Sequence, residues 1–323
     1  MYYIYHARSK HKGRDVTQMT TYLYHSFPRR SRRAWKKAEV ILENMVDYGL
    51  LLVPELVTWI ERSRNTGRRR KFRYVQTRIC FTELSPFELR SHAESFGSYA
   101  LEFTTDAARE LGAIPVFYVP SSDPPQGLNA TGPSMMHRLG EVLEVLDLCE
   151  RLLEANPEQA GRQILVNNEL YQHPIGAAQE WVRLLFKGKN TPTELANWLY
   201  AFLGHFYPTE NLRYTPILHY YRQREWRISG RLQHVEGGGV VPAPRALRKS
   251  LLAIDREFFT RRIPVGGRRS CSSRCLHYPE LLGRRLFDYV NRVICPKARA
   301  LTVTKLLRSR NVNTPVIPLE ECR

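Results

Sequence analysis

The hydrophobic pattern changes period several times along the chain. Short runs rich in aromatic and β-branched residues at Tyr2–Tyr5, Val75–Phe81, Tyr99–Phe103 and Pro115–Val119 predict strands. Between them, residues 38–48 place Val40, Ile41, Met45 and Val46 at helical spacing and stop on Gly49, which suits a left-handed helix end. Residues 1–120 therefore predict the N-terminal part of an α+β core.

The texture changes at residue 121, where SSDPPQGLNATGPS reads as a Pro/Gly/Ser linker. Beyond it Val142, Val145, Leu146, Cys149 and Leu153 repeat at helical spacing from Ser134 up to Pro157, and a second helix is predicted near 177–187. A third start is sharper. Thr191, Pro192 and Glu194 form a capping box with proline in the first turn, followed by Leu195, Trp198, Leu199 and Phe202 on one face, a stripe that reads as core. Residues 121–215 are thus a mainly helical insert, and residues 216–323 return to the core. In that last part strands are predicted at Ile217–Tyr221, Trp226–Ile228 and Pro315–Pro318, and helices near 248–260, 279–294 and 299–309. The run Gly237-Gly238-Gly239 lacks the spacing of a phosphate loop and reads as a flexible turn.

Charge adds a partner to this outline. Forty-nine Lys and Arg against 31 Asp and Glu leave the 323-residue chain at +18, a field that gathers polyanions, so nucleic acid is the expected macromolecular partner. The excess is concentrated in three tracts: FPRRSRRAWKK (27–37), RSRNTGRRRKFR (62–73) and RRIPVGGRRS (261–270). Arg29, Arg30, Arg32, Arg33, Arg68, Arg69, Arg70 and Lys71 are the candidate phosphate contacts, and the tract at 62–73 reads as an exposed loop. No apolar run is long enough to cross a bilayer, so no membrane partner is expected. The opening MYYIYHARSKHKG reads as a strand and not as a signal peptide. Six scattered cysteines suit a reducing compartment, which points to the cytoplasm. Among them Cys271, Cys275 and Cys295, with His277, offer a tetrahedral ligand set for zinc, with buried thiols as the alternative.

The candidate chemistry centres on "RQREWRI". In an extended segment Gln223 and Glu225 share a face, and an amide beside a carboxylate suits a ribose: the amide binds hydroxyls while the carboxylate stabilises positive charge as a C–N bond breaks. Arg222, Arg224 and Arg227 would keep Glu225 ionised. His6 at the end of the first strand is a candidate to hold a dinucleotide, and Thr82, Tyr221 and Trp226 are candidates to line its pocket. A second reading of Glu225 stays open, that of a strand residue paired with Arg8 or Arg78 with Trp226 buried behind it.

The segments HYYRQREWRI and ICFTELSPFELRSHAESFGSYALEFTTDAARELGAIPVFYV (79–119) resemble the AbiGi family of bacterial abortive-infection (phage-resistance) proteins. The likeness lies in the CFTE strand end, His92 in the following helix, the Phe96-Gly97-x-Tyr99 turn, the Pro115-Val116-x-Tyr118 strand and the acid-Trp-Arg strand near 225. It implies a phage-defence or toxin–antitoxin role, with a cognate toxin or antitoxin as a protein partner. More distantly, a strand ending in His, a helix closing on ILENMVDYGLL and a Gln-x-Glu strand are similar to the ADP-ribosyltransferase layout, including DarT-like toxins that modify nucleic acid. That resemblance implies NAD as cofactor and a small mixed or antiparallel β core. Glu225, Gln223 and His6 then stand in the catalytic positions, and the middle motif falls at Thr82 or at Thr104-Thr105. The rival expectation is a non-enzymatic antitoxin or regulator that binds DNA, RNA or a partner toxin through the Arg tracts.

Overall fold

A computed structural model describes residues 22–28, 34–62, 69–119, 131–156, 164–166, 169–171, 175–188, 190–208, 224–230, 234–235, 238–265 and 269–322. The strands expected at Tyr2–Tyr5 and Ile217–Tyr221 lie outside these residues, as do His6, Arg29, Arg30, Arg32, Arg33, Arg68 and Gln223. The first half of the core comprises β1 (Tyr22–Phe27), α1 (Ala34–Tyr48), β2 (Leu50–Arg62), β3 (Arg69–Leu84), α2 (Leu89–Phe96), β4 (Tyr99–Phe103), α3 (Thr105–Glu110) and β5 (Ile114–Pro115). The insert follows as β6 (Phe117–Val119), α4 (Thr131–Glu154), β7 (Ile164–Val166), β8 (Glu169–Tyr171), α5 (Ile175–Phe186), α6 (Pro192–Leu203) and β9 (Phe206–Pro208). The core resumes with β10 (Glu225–Ser229), β11 (His234–Val235), β12 (Gly238–Gly239), β13 (Val241–Pro242), α7 (Arg245–Ile254) and α8 (Arg256–Phe259). It closes with β14 (Thr260–Val265), β15 (Arg269–Arg274), β16 (Leu276–Tyr278), β17 (Glu280–Leu281), β18 (Arg284–Arg285), β19 (Arg292–Cys295), α9 (Ala300–Arg308) and β20 (Val316–Pro318).

The fold is mixed α/β around a ten-stranded sheet, which agrees with an α+β core. Strand β3 organises it. Arg78 is laddered to both Val53 of β2 and Ser229 of β10, and Thr82 to both Tyr24 of β1 and Glu225 of β10. A residue has one ladder neighbour on each side, so β2 and β1 follow one another along one edge of β3 while β10 runs along the other. The sheet therefore branches at β3: one arm continues through β2, β16 and β13, and the other through β1, β4, β19 and β20. His25 sits at the branch, where its Nδ1–H donates to the Cys80 carbonyl at 2.9 Å and satisfies a backbone acceptor between the two arms.

Alternation along the strands sets the layers. Ile79 and Phe81 of β3 and Ile228 of β10 join Ile41, Leu42 and Met45 of α1, Leu247 and Leu251 of α7 and Val303 and Leu307 of α9 in one buried cluster. Val57 and Trp59 of β2 face the opposite way and are buried with Met136 and Leu143 of α4 and Leu203 of α6. The sheet is thus covered on one side by α1, α7 and α9 and on the other by the insert. Gly49 ends α1 at φ +86°, and an added Cβ would lie 2.0 Å from the Tyr278 carbonyl oxygen, so close backbone approach and handedness both require glycine there. Among the described residues no helix is long and apolar enough to cross a membrane.

Several expectations need correction. Of the tract at 62–73, expected to be loop, Arg62 and residues 69–73 are strand and continue the β2–β3 ladder, while 63–68 lie outside the described residues. In the third basic tract, for which no element was expected, residues 261–265 and 269–270 lie in the antiparallel pair β14–β15. The helix expected at 248–260 divides at Asp255, whose extended backbone ends α7 and whose carboxylate accepts the Phe258 N–H at 3.0 Å to start α8. No helix spans 279–294: Gly283 at φ +76° reverses the chain between β17 and β18, and β19 is drawn into the sheet beside β4. The helix at 299–309 and the strand at 315–318 are present as α9 and β20. In α6 the packing face is Leu199 and Leu203, while Leu195, Trp198 and Phe202 point to solvent.

Candidate functional site

The face of the sheet that meets the insert is polar where β2, β3 and β10 lie side by side. Register places Glu55 opposite Gln76, Glu225 opposite Thr82, Arg227 opposite Cys80 and Ser229 opposite Arg78, and directly opposed residues share a face. Two acids and two guanidiniums therefore converge beneath the insert. Arg227 is 1 % exposed.

The insert's root is built to meet these groups. Its entry strand β6 and exit strand β9 are parallel neighbours, with Tyr118 opposite Tyr207. The Tyr118 hydroxyl donates to Glu225 Oε2 at 2.5 Å, and the Tyr207 hydroxyl donates to Glu55 Oε1 at 3.0 Å. From the sheet, Arg227 Nε donates to Glu225 Oε1 at 2.7 Å and Arg78 Nη2 to Glu55 Oε2 at 2.6 Å. Both guanidiniums also lie over the Tyr207 ring, Arg78 at 5.0 Å and Arg227 at 4.7 Å from its centre. Backbone carbonyls at the end of α6 take two further donors: Arg227 Nη1 reaches Gly204 O at 3.2 Å and Gln76 Nε2 reaches Leu203 O at 3.0 Å, while Gln76 Oε1 accepts from Arg78 Nη1. Main-chain bonds from Val116 N–H to Glu225 O and from Phe117 N–H to His205 O, both 2.8 Å, close the joint.

Electrostatics follow from this enclosure. Burial alone would raise the Glu225 carboxyl, but the Arg227 and Arg78 guanidiniums, with the hydrogen bonds from Arg227 and Tyr118, outweigh it and hold the pKa down at about 2. Burial and the Glu225 charge push the Tyr118 hydroxyl far up, so it remains a donor. Burial pushes the Cys80 thiol up to about 11, with Glu225 adding to it. His205, buried and beside the Arg227 and Arg78 charges, is lowered to about 4 and stays neutral.

The sequence-based candidates divide accordingly. Glu225 is ionised, with its direct partner Arg227 and with Arg78 nearby on β3, so the ion-paired strand residue describes its surroundings. Trp226 points to the other side of the sheet, packs on the core and donates from Nε1 to Glu83 at 3.1 Å, so it shares no pocket with Glu225. Thr82 shares the Glu225 face, whereas Thr104 is occupied as the cap of α3. Arg224 bonds Glu88 at 2.8 Å and does not reach Glu225. Gln223, Tyr221, Arg222 and His6 lie outside the described residues; the histidine carried by β1 is His25, held at about 4 by burial. With one oxygen of Glu225 taken by Arg227 and the other by Tyr118, the carboxylate as placed does not present itself to a dinucleotide. Of the proposed zinc ligands, the Cys271 side chain lies outside the described ones, Cys275 donates its thiol to Leu276 O at 3.3 Å, and His277 donates Nδ1–H to the Tyr48 carbonyl at 2.7 Å, a bond that a histidine ligating through Nε2 also makes. Burial raises the Cys275 and Cys295 thiols to about 12. Among the described residues no group of three or more His, Cys, Asp or Glu converges. Glu55 and Tyr207 were missed by sequence reasoning, and Tyr118 was named only within the Pro115-Val116-x-Tyr118 motif, with no role. Their only trace is an acid in an apolar strand and a tyrosine in each strand bordering the insert.

Two outcomes follow. Glu225→Gln leaves Arg227 without its counter-charge beneath the insert and should cost about 3 kcal/mol or more of unfolding free energy by urea titration, the range for breaking a buried pair. His25, His92 and His205 are neutral in the fold at about 4 against an ordinary 6.5. Below 6.5 the unfolded chain binds protons that the folded chain excludes, so stability should be level just above that pH and fall steadily as the pH drops below it. Urea midpoints across this window measure it; a flat profile would contradict the buried neutral imidazoles.

No protein-family model, no curated protein and no solved structure matches the chain, so the roles of these residues rest on geometry and chemistry alone.

Proposed function

We propose that the chain is a nucleic-acid-binding protein of the phage-defence or toxin–antitoxin kind that acts by contact, with DNA or RNA held on a pair of basic β hairpins. The observation that carries the reading is the meeting of two basic tracts far apart in sequence. The β2–β3 hairpin carries Arg62, Arg69, Arg70, Lys71 and Arg73, the β14–β15 hairpin carries Arg261, Arg262, Arg269 and Arg274, and both strands of the second hairpin pack against β2. Strand β15 runs almost directly into β16, which is laddered to the start of β2, so both hairpins spring from one arm of the sheet. Paired antiparallel ribbons bearing arginines suit a phosphate backbone, and a net charge of +18 supplies the long-range attraction. The likeness of 79–119 and 219–228 to abortive-infection proteins supports the phage-defence part and implies a toxin or antitoxin partner.

A second reading is an NAD-dependent ADP-ribosyltransferase-like protein acting on nucleic acid. What favours it is a carboxylate kept ionised on β10 directly across from Thr82. It requires Tyr118 and Arg227 to release Glu225 before the acid can face a ribose.

Fluorescence anisotropy with labelled single-stranded and double-stranded oligonucleotides across a salt series separates the two. Binding should weaken steeply with salt, and removing three charges in Arg69→Ala/Arg70→Ala/Lys71→Ala should flatten the log–log slope by about 2–3. Glu225→Gln, assayed where circular dichroism shows it folded, should bind as the parent does. Absence of binding at low salt, or an unchanged slope in the triple variant, would overturn the hairpin reading. Transfer of label from NAD to the oligonucleotide, lost in Glu225→Gln, would establish the second reading instead.

A further inference from the structure

The insert buries one side of its helices and leaves a large apolar surface on the other. On α5, Trp181, Leu184 and Leu185 fall at successive turns and are 68, 52 and 61 % exposed. On α6, Leu195, Trp198 and Phe202 form a second stripe, 37, 58 and 50 % exposed. The two helices follow one another closely in sequence, and both rest on α4. At about 150–250 Å² for a whole aromatic side chain and roughly 100 Å² for a leucine, these six residues expose on the order of 500 Å² of apolar surface.

We propose that this face is the contact between two copies of the chain, packed helix hairpin against helix hairpin about a two-fold axis. The area matches the need: a standard interface of about 800 Å² per partner, about 65 % apolar in homodimers, takes about 500 Å² of apolar surface from each side. Charge selects the location. A chain of +18 repels its own copies over most of its surface, but residues 175–203 carry two acids, Glu180 and Glu194, against three bases, Arg183, Lys187 and Lys189. This stretch is close to neutral, so a second copy meets no opposing field there. A two-fold arrangement also sets each stripe against itself, so one surface satisfies both copies.

Sedimentation velocity on nuclease-treated protein over a wide concentration range, at low and high salt, tests the contact. The expected result is a monomer–dimer equilibrium that persists or tightens at high salt. Trp198→Glu and, independently, Leu184→Glu should weaken it at least about tenfold while leaving the far-ultraviolet circular dichroism unchanged, because both side chains lie outside the buried clusters. A parent protein that stays monomeric at every concentration would overturn the proposal and assign the face to a different protein. So would a dimer that survives both substitutions, or one that dissolves in salt.

Discussion

Everything on one side of the sheet depends on keeping two carboxylates and two guanidiniums in register beneath the insert. Glu55 with Arg78 and Glu225 with Arg227 are charge-balanced pairs whose spacing is set by strand alternation, and each acid receives a tyrosine hydroxyl from a strand at the insert's root. Removing Glu225 would strand the Arg227 charge in a buried site, at a cost that exceeds the net worth of the intact pair, whereas Glu55, with 39 % of its side chain exposed, keeps contact with solvent. The cluster therefore acts as a specificity device as much as a source of stability. It fixes where β6 and β9 sit, and through them how α4 and α6 cover Val57 and Trp59.

How much of this could be read from the chain depends on whether the deciding interaction is local. The α1 stop at Gly49 and the capping box at Thr191 stand as expected, and the strand expected at Trp226–Ile228 is present as Glu225–Ser229, because each is written in a few adjacent residues. Residues 279–294 have apolar residues that suit a helix, yet β19 is claimed by β4 and β20, partners that local pattern does not identify. In the same way the spacing of Leu195, Trp198 and Phe202 marks a helix face without saying whether anything covers it.

The site follows the same rule. Strand periodicity placed Glu225 on one face with its alternate neighbours, and the presence of Arg227 two residues on explains why the acid is ionised. The distant contributors, Glu55, Arg78, Tyr118 and Tyr207, come from four other strands and are brought in by ladder register and by the parallel pairing of β6 with β9. The basic tracts were visible as charge, but their union as adjacent hairpins arises from packing against β2. The basic hairpins and the nearly neutral, apolar helices α5 and α6 are thus separate elements of the chain.

The most direct test is the titration of Glu225 itself, followed by its side-chain carboxyl carbon resonance, assigned by comparison with Glu225→Gln. A carboxylate held by Arg227, Arg78 and Tyr118 should show no titration through pH 4.5 and a midpoint near 2. A midpoint at or above 4.5 would mean that the acid is free of the guanidiniums, and the structural role assigned to it would be wrong.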